Sequence, residues 1–261
     1  MKIVVCVKQV PDTNEVKLDP VTGTLIRDGV PSIINPDDKA GLEAALALKD
    51  SMGATISVVS MGPPQADAAL REALAMGADE AYLITDRAFG GADTLATSTT
   101  IAAAIKTMEY DLIITGRQAI DGDTAQVGPQ ISEHLDIPNV SYAEDIKVEG
   151  DYVIVKRQYE DRYHTVKVQM PCLVTALGEM NTPRYMTPGG IFDAYRNKEV
   201  KVITRADVEV DDATIGLKGS PTSVAQSFPK SVKPAGVKET SLGPDEAADY
   251  IVAKLKEKFV I

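Results

Sequence analysis

The chain has no tryptophan, two cysteines, two histidines and aromatic residues at only 5% of its 261 positions. Each shortage excludes something. Cys6 and Cys172 are too few for a disulfide scaffold and show no metal-ligand spacing. Both sit in apolar runs, Ile3-Val4-Val5-Cys6-Val7 and Pro171-Cys172-Leu173-Val174, and read as buried strand residues. With few aromatics, the core must be built from Ala, Val, Ile and Leu. Positive charge is also short: 27 Lys and Arg stand against 38 Asp and Glu, a net charge of −11. Such a surface cannot neutralise a phosphate backbone, which argues against non-specific nucleic-acid binding and leaves room for a partner with a basic docking face. No segment approaches the ~18 apolar residues of a membrane span, and the first apolar run is broken at Lys8, too early for a signal peptide. The expectation is a soluble, cytoplasmic protein.

Catalytic machinery is equally sparse. His134 falls near an expected helix C-terminus, where positive charge is favoured, and His164 falls in an expected hairpin. No Ser/His/Asp or Cys/His set assembles around either. A chain without acid–base groups of its own is expected to bind something already reactive.

What is present is alternation. Apolar runs at Ile3–Val7, Thr55–Ser60, Glu80–Ile84 and Leu112–Thr115 read as strands. Between them lie helical patterns over Pro36 to Met52, Pro64 to Met76 and Asp93 to Met108. Asn35 is a candidate cap, Pro36 suits the first helical position, and Asp37 and Asp38 complement the dipole. Strands alternating with helices predict a doubly wound, mostly parallel α/β sheet. Such a sheet binds ligands beyond its strand ends where the strand order reverses. If the first strand is central with the fourth beside it, two loops flank that crevice: Lys8-Gln9-Val10-Pro11-Asp12-Thr13, and Gly116-Arg117-Gln118-Ala119-Ile120-Asp121-Gly122-Asp123-Thr124-Ala125-Gln126-Val127-Gly128.

The second loop follows a strand and opens a helix ending near Leu135, a geometry that aims backbone N–H groups at one spot and suits a phosphate. It is neither the three-glycine dinucleotide fingerprint nor a P-loop. Asp121 and Asp123 read as capping residues before a metal or acid–base pair, with Thr124 available to a phosphate. A second loop candidate is Asp86-Arg87-Ala88-Phe89-Gly90-Gly91-Ala92-Asp93-Thr94-Leu95-Ala96-Thr97. Gly90 and Gly91 permit close backbone approach, Asp93 or Thr94 can cap the next helix, and Phe89 is expected as an exposed aromatic able to stack.

After Pro138 the pattern changes. Val148-Glu149-Gly150-Asp151-Tyr152 marks a hairpin, extended by Tyr163–Val168 and followed by the apolar run Cys172–Leu177. Asn181 to Val237 reads as irregular, which in a compact domain suggests a segment lying on another chain. A helix over Pro244–Lys258, with Ala247, Ile251 and Leu255 on one face, needs something to pack on. The expected division is an α/β domain over 1–190 and an arm with a terminal helix over 191–261.

Together, Val7-Lys8-Gln9-Val10-Pro11-Asp12, Asn35-Pro36, Ser60-Met61-Gly62-Pro63, Ala75-Met76-Gly77-Ala78-Asp79, Gly116 to Asp121 and Asn181-Thr182-Pro183-Arg184-Tyr185 resemble the small (beta) subunit of electron transfer flavoproteins. The stretch from Val155 to Thr175 is similar to that family's signature, departing at Arg162, where a small or acidic residue is usual. The resemblance implies an adenine nucleotide alpha-hydrolase-like fold and an obligate heterodimer with an alpha subunit that carries redox-active FAD. The Val10 to Thr13 and Asp86 to Thr97 segments resemble the bifurcating, nitrogen-fixation-type branch. In that branch the beta subunit binds a second FAD, takes electrons from NADH, and sends one to ferredoxin or flavodoxin and one through the other FAD to an acyl-CoA dehydrogenase-type partner. In the non-bifurcating branch the same site holds structural AMP. A stand-alone nucleotide-binding stress-type module is the alternative from another class. The resemblance places Cys6, Asn35, Asp37 and Met61 around adenine and ribose. It places residues 116–127 around ribose and phosphates, and Phe89, Gly90, Gly91, Ala92, Asp93, Thr94 and Thr97 toward the nicotinamide cofactor. Ile191, Phe192 and Tyr195 match the loop that anchors the dehydrogenase.

Overall fold

The computed structural model describes residues 1–12, 31–223 and 235–261. The expected loop residue Thr13 and residues 224–234 of the expected arm lie outside them. Two compact units divide at residues 226 and 227.

The first unit is built on a nine-stranded sheet. Its strands are β1 (Lys2–Cys6), β4 (Thr55–Met61), β5 (Glu80–Ile84), β6 (Leu112–Gly116), β7 (Asn139–Glu149), β8 (Tyr152–Tyr159), β9 (Arg162–Gln169), β10 (Cys172–Ala176) and β11 (Val200–Ile203). A separate small ribbon pairs β2 (Gln9–Pro11) with β3 (Ser32–Ile34). The strand order is β11-β5-β4-β1-β6-β10-β7-β8-β9, parallel except where β8 and β9 continue as an antiparallel meander. The mostly parallel, doubly wound sheet with a hairpin extension is as the sequence predicts.

The helices are α1 (Pro36–Met52), α2 (Asp67–Met76), α3 (Thr94–Ile105), α4 (Val127–Leu135) and α5 (Pro188–Arg196). Side chains alternate along β1. Ile3 and Val5 join Leu42 and Leu46 of α1 and Leu70 and Leu74 of α2. Val4 and Cys6 join Ile101 and Ile105 of α3 and Ile131 of α4. Helices therefore cover both faces, which is why the central strands are apolar without a polar side. Each fully buried Leu or Ile here contributes ~1.5–3 kcal/mol. Among the described residues no helix is long and apolar enough to cross a membrane.

The segment read as irregular contains α5 and β11. Pro188 opens α5 and the Thr187 hydroxyl accepts from the Gly190 N–H at 3.0 Å, a cap that Gly189 and Gly190 disguise in the sequence. β11 is only four residues long and pairs with β5 at the sheet edge. The first unit therefore extends past the expected boundary at 190, because α5 packs on α2 and β11 completes the sheet. In the second unit, α6 (Pro244–Glu257) starts with Pro244, and Glu246 accepts from the Gly243 N–H at 3.0 Å. None of its residues is buried.

Candidate functional site

β1 lies between β4 and β6, both parallel to it. The chain fills the sheet from β1 outward through β4 and β5, then crosses to β6 on the other side. The strand order therefore reverses between β1 and β6, as the sequence reading requires, and a crevice must open beyond their carboxyl ends. A cavity of about 1050 Å³ occupies that place. Its floor includes Cys6, Asp38, Thr115 and Gly116. Met61 and the Gly62–Ala66 turn form one wall, residues 86–94 another, and parts of the 116–128 loop a third.

The 116–128 loop is held by side chains from α1. Asn35 makes no capping bond. Its Nδ2 donates to the Gln118 carbonyl at 2.8 Å and its Oδ1 accepts from the Ile120 N–H at 3.0 Å. Asp38 accepts from the Lys8 N–H at 2.8 Å and the Gly116 N–H at 2.9 Å. Lys8 Nζ meets Asp121 Oδ1 at 2.6 Å across the loops, and Thr94 Oγ1 donates to Gln126 Oε1 at 2.8 Å. Asp123 and Ala125 have φ of 50° and 53°, strain of ~1 kcal/mol or more apiece for residues with a Cβ.

Neither Asp123 nor Thr124 caps the next helix, contrary to the sequence reading. The two left-handed residues delay α4 until Val127, and the Asp123 carboxylate instead accepts from Gln118 Nε2 at 2.8 Å. Gln126 occupies the cap position and makes no side-chain cap bond, so the Val127 and Gly128 N–H groups at the start of α4 keep their donors for an anion. Gly128 lets α4 approach β6 and β10: a Cβ there would stand 2.5 Å from Thr115 Oγ1 and 2.9 Å from Thr175 Cγ2. The cavity, the uncapped helix start and the backbone close-approach positions suit a phosphate-bearing ligand.

Charge at the floor is unusual. Burial pushes the Asp38 carboxyl up to about 7, against the hydrogen bonds from Lys8, Asn35 and Gly116, and with Asp37 adding to the rise. Burial also raises Asp37, opposed first by Arg117, whose Nε stands 3.3 Å from Asp37 Oδ2 at ion-pair distance without hydrogen-bond alignment. Burial raises the Cys6 thiol, with Asp38 adding, and pushes Cys172 up to about 11. Both thiols are neutral, inert packing groups. Because native Asp38 holds its proton more tightly than the unfolded chain, its contribution to stability falls as pH rises from about 4 to 7. Asp38→Asn should lower the urea midpoint and flatten its pH dependence across that window; parallel wild-type and variant curves would contradict this.

Of the residues picked from sequence, Cys6, Met61, Phe89, Gly90, Gly91, Ala92, Asp93, Thr94 and Thr97 line the cavity. So do Gly116–Ala119, Gly122 and Thr124–Val127. Asn35, Asp37, Ile120, Asp121 and Asp123 do not line it. Phe89 is not the exposed aromatic expected: it is 4% accessible and packs with Val208 and Ile215, which arrive from a segment over a hundred residues later. Asp93 does cap α3, accepting from Ala96 N–H at 3.0 Å. His134 approaches Ser98 and Thr99 hydroxyls at 3.2 and 3.3 Å. Burial, then Lys106, lowers its pKa, opposed by Glu133. Sequence reasoning missed Asp38, Thr115 and the Gly62–Ala66 turn as cavity residues. Asp38 was visible only as one more acid in a helix's first turn.

The profile of the electron transfer flavoprotein domain matches residues 22–208. An electron transfer flavoprotein subunit beta from Clostridium acetobutylicum is 62% identical, covering all of both chains. The chain belongs to the electron transfer flavoprotein beta-subunit family. It is 56% identical to the caffeyl-CoA reductase-Etf complex subunit CarD of Acetobacterium woodii over all of both chains. It is 44% identical to protein FixA of Azotobacter vinelandii, over 98% of this chain and 94% of that one. These likenesses group it with FixA-type beta subunits, and beta subunits of this family serve electron transfer together with an alpha subunit.

A second surface feature matters for a protein of this family. Arg184 is anchored on α1 by Glu43 and Asp50, at 2.9 and 2.8 Å, and Asn181 Nδ2 donates to the Ala40 carbonyl at 2.9 Å. The following α5 exposes Ile191, Phe192 and Tyr195, with Tyr185 and Met186 exposed just before it. Arg71 of α2 stacks over the Tyr195 ring at 5.1 Å and Arg196 over Phe192 at 5.0 Å. Large apolar groups held rigid at a surface and flanked by arginine have the composition of an interaction hot spot.

Proposed function

We propose that this beta subunit holds FAD in the crevice between β1 and β6, accepts electrons from NADH, and bifurcates them. One electron goes to ferredoxin or flavodoxin, and one goes by way of the alpha-subunit FAD to an acyl-CoA dehydrogenase-type partner. The carrying observation is the extent of the crevice. It runs from Cys6 and Met61 past the 116–128 loop to residues 89–94, with a volume of about 1050 Å³. That is the upper end of ligand-pocket sizes, which run ~300–1,000 Å³, and more than a mononucleotide such as AMP would fill. The names of the relatives support the same reading: a caffeyl-CoA reductase complex subunit, an acryloyl-CoA reductase electron transfer subunit, and FixA.

Bound FAD would supply hydride acceptance and single-electron transfer. The chain's own part is to bind and to shield. Thr124 and the first-turn N–H groups of α4 would hold phosphate, Cys6 and Met61 would pack at the adenine end, and Gly90 and Gly91 would let backbone approach the far end. Ile191, Phe192 and Tyr195 would dock the dehydrogenase. The exposed apolar side of α6, with Ile251 and Val252, would lie on the alpha subunit. All of this would take place in the cytoplasm.

The purified heterodimer should contain two FAD and no AMP, and NADH should bleach its flavin absorbance. NADH consumption at steady state should require both the low-potential acceptor and the dehydrogenase with its substrate. One FAD plus one AMP per heterodimer, with no bleaching by NADH, would sink the proposal.

A further inference from the structure

We propose that Asn35 and Asp38 are positioning residues. From the first turn of α1 they set the shape of the two strand-end loops that receive the nucleotide, acting through backbone rather than by contact with the ligand. The inference rests on the crevice being a nucleotide site, not on which nucleotide fills it.

The observation is the completeness of their bonding. Asn35 is fully buried. Its amide donates to the Gln118 carbonyl and accepts from the Ile120 N–H, and it also hydrogen-bonds the Asp38 carboxyl, which leaves it little to offer an adenine or a ribose. Asp38 has one oxygen on the Lys8 N–H and the other on the Gly116 N–H. Those two amides leave the carboxyl ends of β1 and β6, the strands between which the order reverses. One carboxylate thus bridges both lips of the crevice. The site is built for this contact: a Cβ on Gly116 would fall 2.2 Å from Asp38 Oδ1 and 2.8 Å from the Asp38 nitrogen.

The geometry differs from ordinary core bonding in one respect. Lys8, Gly116 and Gln118, three of the four bonded partners, line the cavity, and Ile120 lies between cavity residues Ala119 and Gly122. What the clamp fixes is the wall itself. The turn at 118–120 leads into the left-handed residues Asp123 and Ala125 and the uncapped start of α4, and Asp123 is bonded back to that turn through the Ala119 carbonyl and the Gln118 amide. Releasing the turn therefore loosens what holds the two strained residues.

The test uses the heterodimer stripped of nucleotide, with Asn35→Ala, Asn35→Asp and Asp38→Asn. Asn35→Asp keeps the acceptor for Ile120 and loses the donor to Gln118, but buries a second carboxyl beside Asp38; Asp38→Asn, which keeps the shape and one acceptor oxygen, is the milder break should the others fold poorly. Amide hydrogen exchange is read at Lys8, Gly116 and Ile120 before any ligand is added, and FAD and AMP are then titrated separately. The clamp predicts exchange about tenfold faster at Ile120 in Asn35→Ala and at one of Lys8 and Gly116 in Asp38→Asn, whose amide keeps a single acceptor oxygen, the loss of one hydrogen bond. FAD and AMP affinity should fall by the same factor as each other. Weaker binding with unchanged exchange would make these contact residues and overturn the proposal. Faster exchange throughout β1 and β6 with unchanged affinity would make them structural and overturn it equally. If the wild type binds AMP and not FAD, the flavin reading fails, while the clamp is still decided by AMP.

Discussion

Gly116→Ala should destabilise the first unit by ~3 kcal/mol or more and empty the crevice of nucleotide. The added Cβ would sit 2.2 Å from Asp38 Oδ1, 2.8 Å from the Asp38 nitrogen and 2.9 Å from Asp37 Cβ. Two of those three atoms cannot swing aside. The Asp38 nitrogen belongs to the first turn of α1, and Asp37 is held by the backbone of Gln118 and Gly178. Relief must come from separating α1 from the end of β6. That breaks the Gly116 N–H bond to Asp38 and strands a buried carboxylate, which is costly when no water replaces the donor. Overpacking at ~1–3 kcal/mol and an unsatisfied buried group at ~1–3 kcal/mol add here, because one movement causes both. Urea denaturation with the eluted nucleotide counted by absorbance would check it. A variant with wild-type midpoint and full nucleotide content would show that the close approach of α1 to β6 is not required.

Gly190→Ala should act at the other end of the molecule's function. Its Cβ would stand 2.3 Å from the Ala75 carbonyl oxygen and 3.2 Å from its carbon, so α5 cannot keep its seat on the C-terminal turn of α2. Ala194 is buried at that seat, and Arg71 of α2 donates to its carbonyl at 2.6 Å. Overpacking of this kind costs ~1–3 kcal/mol. The unit survives that loss, but Ile191, Phe192 and Tyr195 are carried out of position. The expected result is dehydrogenase affinity reduced about tenfold or more, with flavin content unchanged, since the crevice is built from other elements. Phe192→Ala with Tyr195→Ala should weaken docking to a similar degree with no change in the melting midpoint, because both side chains are exposed. Docking unaffected in both variants would remove α5 as the partner surface.

The four central strands, α1 to α4, the three-stranded meander and α6 were legible because their signals are local. Each is a run of one periodicity bounded by Pro, Gly or a capping residue. The switch point was legible too, since alternation of strand and helix dictates a doubly wound sheet and only the position of β1 had to be supposed. α5 and β11 were not legible. Glycines hide the first, and the second is a four-residue edge strand whose partner, β5, lies more than a hundred residues earlier.

The 116–128 loop shows where local reading stops. Its glycines and its place after β6 were enough to mark it as an anion site beside a helix start. The role of Asn35 was misread as a cap, Phe89 was expected in solvent, and Asp38 was passed over. In all three cases the deciding neighbour is remote in sequence. Gln118 is 83 residues from Asn35, Gly116 is 78 from Asp38, and the residues that bury Phe89 come from beyond position 200. Periodicity and capping preferences act over one or two turns and specify elements. Which buried amide or carboxylate meets which backbone group depends on how the finished sheet brings β1, β6 and α1 together, and no window of the sequence contains all three.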